Sequence, residues 1–288
     1  MNIPPSGYFT PVSLERYFNV DRSQLEGFLG EQDYRFQSSI GRLFLHSIDS
    51  AFGNQSLLGI PFELGESNEQ NGILLDQDAV EVKLGEIKAT YVVFLHIVEN
   101  RPSNYQEGLA DLEFDGNELG DHVSDYVLEY EDGEMETTAV LRRFAIQQPH
   151  IGWGASAFAA MPAVKPEVVM GATDEHSLDR RPQSPYGRAE TRHSSGRESS
   201  GGAKLWVYAL PNPYPDKPIK KVTLKPQQER SLVLGITHTQ VADHPVRPGI
   251  RQKLVLNLPE GANLNRNGEL EDVDIDLGVV MSARAVLD

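Results

Sequence analysis

Residues Lys88–Asn100 read KATYVVFLHIVEN, an apolar run without alternation, broken only by a histidine near its end. A strand with one wet face alternates apolar and polar residues, whereas a strand covered on both faces reads as a continuous apolar run. This segment is therefore expected to be a central strand, with Val93 and Leu95 in the core. His96 is open to two readings: a working residue placed by a rigid strand, or a buried imidazole satisfied by its neighbours. The second is the expectation, because no partner acid or metal co-ligand can be placed beside it from the sequence.

Outward from this run, strand signals dominate. Apolar and β-branched segments bounded by Gly, Asn, Asp or Pro recur at Leu57–Leu64, Ile73–Leu75, Val80–Leu84, Tyr126–Tyr130, Thr137–Leu141, Arg143–Ile146, Leu205–Ala209, Ile219–Leu224 and Leu232–Thr237. Two more follow at Lys253–Leu256 and Val273–Leu277. Helical signals are confined to Ser13–Phe18 and Ser23–Leu29. Many short strands and few helices imply an all-β, antiparallel two-sheet sandwich. Leu64, Val82, Val93, Leu95, Leu128, Val207, Val222 and Leu234 are its expected core. The Asp132-Gly133 pair between Tyr130 and Glu134 marks a hairpin, with Gly supplying the positive φ of a type I′ turn.

Three divisions are expected: an N-terminal extension with short helical turns over 1–43, the sandwich over 44–244, and added strands or the start of a second module over 245–288. Within the sandwich, Gly171–Ala203 has almost no large aliphatic residue and reads as a long mobile insertion, since it cannot bury enough apolar surface to offset the entropy of ordering. The chain stops without a polar tail and is read as a possible piece of a longer protein.

The 288 residues carry 42 acidic against 26 basic side chains, a formal charge of −16, which repels phosphate backbones and anionic lipid surfaces. Nucleic acid and membrane are thus not expected partners. No apolar run approaches the length of a membrane span, so a soluble chain is expected. The start, MNIPPSGYF, lacks a basic region followed by an apolar one. No cysteine is present, which excludes disulfides, thiolate nucleophiles and Cys-ligated zinc. The compartment stays open between cytoplasm and export with a leader removed.

No metal-binding histidine spacing occurs among the eight histidines. A metal-dependent hydrolase would need a site assembled from scattered residues such as His46, Asp49, His96 and His238. Glu269, Glu271, Asp272, Asp274 and Asp276 offer oxygen ligands to calcium, although alternating acids more often form the solvated face of a strand. Gly152–Ala157 matches a dinucleotide fingerprint on paper, but Pro149 and Pro162 leave no room for the helix that it requires, and Ser156 has no base to activate it. The candidate ligand-binding residues are aromatic: Trp153 and Phe158 in a loop-like stretch, positioned to stack on a sugar face, and Tyr186 in the insertion. Trp206, inside a strand, is expected in the core.

The ordered segments LLGIPFELG, ILLD, VEVKLGEIKATYVVFLHIVE, YVLEYEDGE, WGASAFAAM, LWVYALPNPYPDKPIKKVTLKP and LVLGITHTQ, over roughly Phe44–Gln240, resemble the galactose-binding-like β-sandwich. That sandwich occurs as a non-catalytic module in large bacterial hydrolases. The resemblance implies a two-sheet jelly-roll that the GIPF segment opens, with YVVFLH as a central strand whose histidine belongs to the architecture. It also implies a hydrolase catalytic domain or protein partner, and carbohydrate as the ligand. RRFAIQQP, WGASAFAAM, YALPNPYPD and ELEDVDIDLG are similar to the region ahead of the catalytic domain in carbamate-hydrolase-like metallohydrolases of the PHP type. That kinship implies metal-dependent hydrolysis, yet the HXH ligand pair is absent and no catalytic residue carries over.

Overall fold

The computed structural model describes residues 7–21, 23–24, 52–66, 68–101, 118–149, 151, 155–163 and 205–247. Its strands are β1 (Phe9–Val12), β2 (Val20–Asp21), β3 (Asn54–Leu57), β4 (Ile60–Glu63), β5 (Gln70–Leu75), β6 (Val80–Ile87), β7 (Tyr91–Val98), β8 (His122–Tyr130), β9 (Met135–Leu141), β10 (Ala160–Pro162), β11 (Trp206–Pro211), β12 (Ile219–Pro226) and β13 (Ser231–Thr239). Among the described residues one 3₁₀ turn forms, over Glu15–Tyr17. The large sheet runs β10-β11-β7-β13-β5-β2, with β1 also on β13, and the smaller one runs β6-β12-β8-β9. All of these ladders are antiparallel. The fold is an all-β sandwich, as the strand pattern implies.

Contacts across the interior hold the two sheets together. Phe94 on β7 lies 4.5 Å from the Tyr126 ring on β8, and the Ser124 and Ser231 hydroxyls meet at 3.0 Å. The outer face of the large sheet is covered by the β3–β4 hairpin. Thr237 donates its hydroxyl to the Pro61 carbonyl at 2.5 Å, and a Cβ on Gly235 would fall 2.9 Å from both Phe62 and Leu64. With both faces covered, every residue of β7 after Tyr91 is buried. All eight expected core residues are buried as well. In β9, by contrast, Met135, Thr137 and Ala139 are exposed between better-covered neighbours, the period-two pattern of a half-wet edge strand.

The tight seat of the hairpin sets an expectation for Gly235→Ala. Its added methyl must displace Phe62 and Leu64, which in a packed core costs about 1–2 kcal/mol. Urea denaturation measures this, and an unchanged midpoint would mean that the hairpin is free to lift off the sheet.

Four expectations need correction. Leu57–Leu64 is not one strand, because Leu58 and Gly59 both take positive φ and close a two-residue hairpin between β3 and β4. Arg143–Ile146 is a turn, not a strand, closed by an Arg142–Ile146 bridge with Arg143 at φ +63°. In the Tyr130–Glu134 hairpin only Gly133 has positive φ, so the loop is Glu131–Gly133 with glycine in the left-handed position rather than a type I′ turn. The stretch expected as an extension over 1–43 supplies β1 and β2 to the large sheet. There β1 lies on the same edge of β13 as β5, opposite Ile236–Thr239, while β5 takes Ser231–Val233. At the other end, Val246 is buried in the core. The Gly171–Ala203 insertion, residues 248–288 and most of Ser23–Leu29 lie outside the described residues.

Candidate functional site

On β7, alternate residues point to opposite faces, and His96 shares the interior face with Phe94. The imidazole is fully buried. Its Nδ1 lies 2.8 Å from the Tyr126 hydroxyl and its Nε2 lies 2.9 Å from the Ala145 carbonyl. A carbonyl only accepts, so Nε2 carries the proton and Nδ1 accepts from the tyrosine. Tyr208 stacks on the ring at 6.0 Å and 4°. Burial pushes the His96 pKa down to about 4, so the ring is neutral, and burial likewise drives the Tyr126 hydroxyl well above its ordinary range. Both nitrogens are thus taken by structural partners, as the expected reading holds.

Of the scattered hydrolase residues, the described pair His96 and His238 does not come together. His238 stands opposite Val92 and His96 lies four residues further along the same strand, a separation of about 13 Å at strand rise. Burial lowers the pKa of His238 too. His46 and Asp49 lie outside the described residues, as do the acids between Glu269 and Asp276. Among the described residues there is no group of three or more His, Cys, Asp or Glu side chains placed to hold a metal ion.

What His96 holds leads to the surface. The Arg143–Ile146 turn is braced against residues 158–160. The Phe158 amide donates to the Arg143 carbonyl at 3.0 Å, and the Ala159 and Ala160 amides donate to the Phe144 carbonyl at 2.9 and 3.2 Å. This pairing sets the Phe144 and Phe158 rings 5.3 Å apart, with the Arg143 guanidinium 5.4 Å from the centre of the Phe158 ring. Phe158 is 62% exposed, Phe144 39% and nearby Met161 40%. An exposed aromatic pair on a braced turn with a left-handed arginine is an apolar platform with a cationic rim.

The platform rests on a polar foundation. Arg142, fully buried, forms a two-pronged ion pair with Glu229 at 2.8 Å for each contact, and donates to Gln148 Oε1 at 2.7 Å and the Glu99 carbonyl at 2.8 Å. The Trp206 indole, in the core as expected, donates to the Gln148 carbonyl at 3.0 Å, and Gln147 donates to the Ala155 carbonyl at 2.7 Å. Of the candidate ligand residues, Phe158 therefore sits on the platform, while Trp153 and Tyr186 lie outside the described residues. Phe144 and Arg143 escaped the sequence reading because their segment was expected as strand. No helix forms over Ala155–Ala163, so the dinucleotide match has no helix to support it.

A second surface group lies at the β8–β9 hairpin. Lys217 pairs with Asp132 at 2.7 Å and with Glu134, and sits 5.1 Å from the Tyr214 ring centre. These two carboxylates hold the ammonium pKa above its usual value, led by the Asp132 hydrogen bond. The group ties the hairpin tip to the turn ahead of β12, with its one cation held between two carboxylates.

No described helix is long and apolar enough to cross a membrane. Comparison with protein-family models, with curated proteins and with solved structures gives no match.

Proposed function

We propose that this chain is a non-catalytic, galactose-binding-like sandwich module that binds carbohydrate through the Phe144–Phe158 platform, and so holds a neighbouring hydrolase domain at its substrate. The observation that carries this reading is the exposed aromatic pair on a turn fixed from the core. Keeping two apolar rings in water is unfavourable, and such rings offer flat surfaces to the C–H face of a sugar. The alternative, a metal-dependent hydrolase, loses His96 to the core and the His96–His238 pairing to distance.

Calorimetric titration of the purified chain with galactan, β-glucan and xylan oligosaccharides tests it. Binding by at least one of them is expected, weakened about tenfold in Phe158→Ala, since one aromatic contact is worth about 1.4 kcal/mol. The melting temperature should hold, because the ring is mostly in water. Silence across the panel, or turnover of ester, carbamate or glycoside substrates by the chain alone, would overturn the reading.

A further inference from the structure

We propose that His96 is the positioning residue of the platform, fixing from the core the turn that carries Arg143 and Phe144 and, through it, Phe158. As a role in ligand binding this rests on the carbohydrate reading; as a statement about the turn it does not. The chain of contacts is short. His96 Nε2–H holds the Ala145 carbonyl at 2.9 Å, and Ala145 follows Phe144 directly. The carbonyls of Arg143 and Phe144 in turn take the amides of Phe158, Ala159 and Ala160.

Two features make this anchor matter. Arg143 sits at φ +63°, a conformation that costs a non-glycine residue and persists only where the surroundings impose it. The turn keeps its own backbone bonds to Leu141 and Ile146, but without the anchor the Ala145 carbonyl loses its tie to the core and Phe144 is free to move away from Phe158. The second feature is the directionality of the imidazole. The Ala145 carbonyl can only accept, which keeps the proton on Nε2 whether or not Tyr126 donates to the other nitrogen, so the ring presents a donor to Ala145. β7, buried from Val92 to Val98, cannot shift to follow the turn, so the position of the donor is the position of the strand. A leucine of similar volume would fill the space without holding the carbonyl.

Amide hydrogen exchange by NMR, which needs no ligand, reads the proposal directly. His96→Gln places an amide donor near the Nε2 position and keeps the bond to Ala145. His96→Asn places its amide near Nδ1, within reach of Tyr126 but not of Ala145. Both variants should lose similar global stability. At the Phe158, Ala159 and Ala160 amides, His96→Gln should exchange within about threefold of the parent protein, and His96→Asn about tenfold faster or more, relative to the β7 amides. Tyr126→Phe removes the other bond of the ring and should leave the three platform amides protected relative to β7. Equal exchange in His96→Gln and His96→Asn would overturn the proposal. So would selective loss at the platform in Tyr126→Phe, a measurement that stands even if His96→Asn does not fold. The oligosaccharide that binds the parent should bind His96→Gln unchanged and His96→Asn about tenfold more weakly. If no oligosaccharide binds while the exchange pattern is as expected, the carbohydrate reading fails and the positioning role of His96 stands.

Discussion

Arg142→Met will destabilise the protein by about 3 kcal/mol, the lower end of the range for removing one partner of a buried ion pair. Methionine fills much of the volume, so the loss is not chiefly a cavity. It arises because Glu229, whose side chain is 15% exposed, keeps its charge and loses both prongs of its fork. The Glu99 carbonyl and Gln148 Oε1 each lose the Arg142 donor at the same time, the latter keeping the Arg101 amide at 3.3 Å. Arg101, 3.6 Å from Glu229, remains as a partial counter-ion and keeps the figure from the top of the range. Glu229→Gln in the Arg142→Met background should recover part of the loss by removing the stranded charge, so the two substitutions will be far from additive. Urea denaturation of the two single variants and the double variant measures the coupling. A loss under about 1 kcal/mol for Arg142→Met, the range of an exposed pair, would show that the fork is solvated and not part of the foundation of the platform.

The sandwich was legible because its central strands announce themselves locally. The run Tyr91–Val98 has no polar break but His96, the pattern of a strand covered on both faces, whereas METTAVL shows no apolar–polar alternation and the half-wet setting of β9 appears only in the fold. The segment around Arg142 shows where that logic ends. RRFAI has the residue types of a strand, and nothing local says that Arg142 must turn inward to meet Glu229, 87 positions away. Where it does, the strand gives way to a turn in which Arg143 takes a left-handed φ. Phe158 was legible from its loop setting, whereas Phe144 was hidden by the strand assignment of its neighbours. β1 and β2 were missed for a related reason: strands of four and two residues, one containing Pro11, carry too little pattern to outweigh the turn residues around them. The bland reading of His96 needed only the apolar context. Its partners, 30 and 49 positions away, needed the fold.

Stability should fall as the pH drops from 6.5 toward 4, with His96 the largest single contributor. In the unfolded chain this histidine takes up a proton near its ordinary pKa of 6.5, while in the folded protein burial holds the pKa at about 4. Between those values the unfolded state binds the extra proton, so acid favours unfolding and the contribution of His96 is fully present only above about pH 6.5. A difference of that size corresponds to roughly 3 kcal/mol once pH 4 is reached. Burial lowers the pKa of His238 and His244 as well, adding loss of the same sign. The paired carboxylates act in the same direction but lower in pH, because Asp132 and Glu129, held below their usual range first by Lys217 and Lys221 respectively, lose their contribution only as they protonate. His96→Gln separates these terms, since glutamine keeps the bond to Ala145 and does not titrate. Unfolding free energies from urea denaturation at pH 7.5 and 4.5 should therefore differ by about 2 kcal/mol less in His96→Gln than in the parent protein. An unchanged pH slope, or an imidazole that titrates near 6.5 by NMR in the folded protein, would place His96 in contact with solvent and remove the basis for its neutral, Nε2-protonated form.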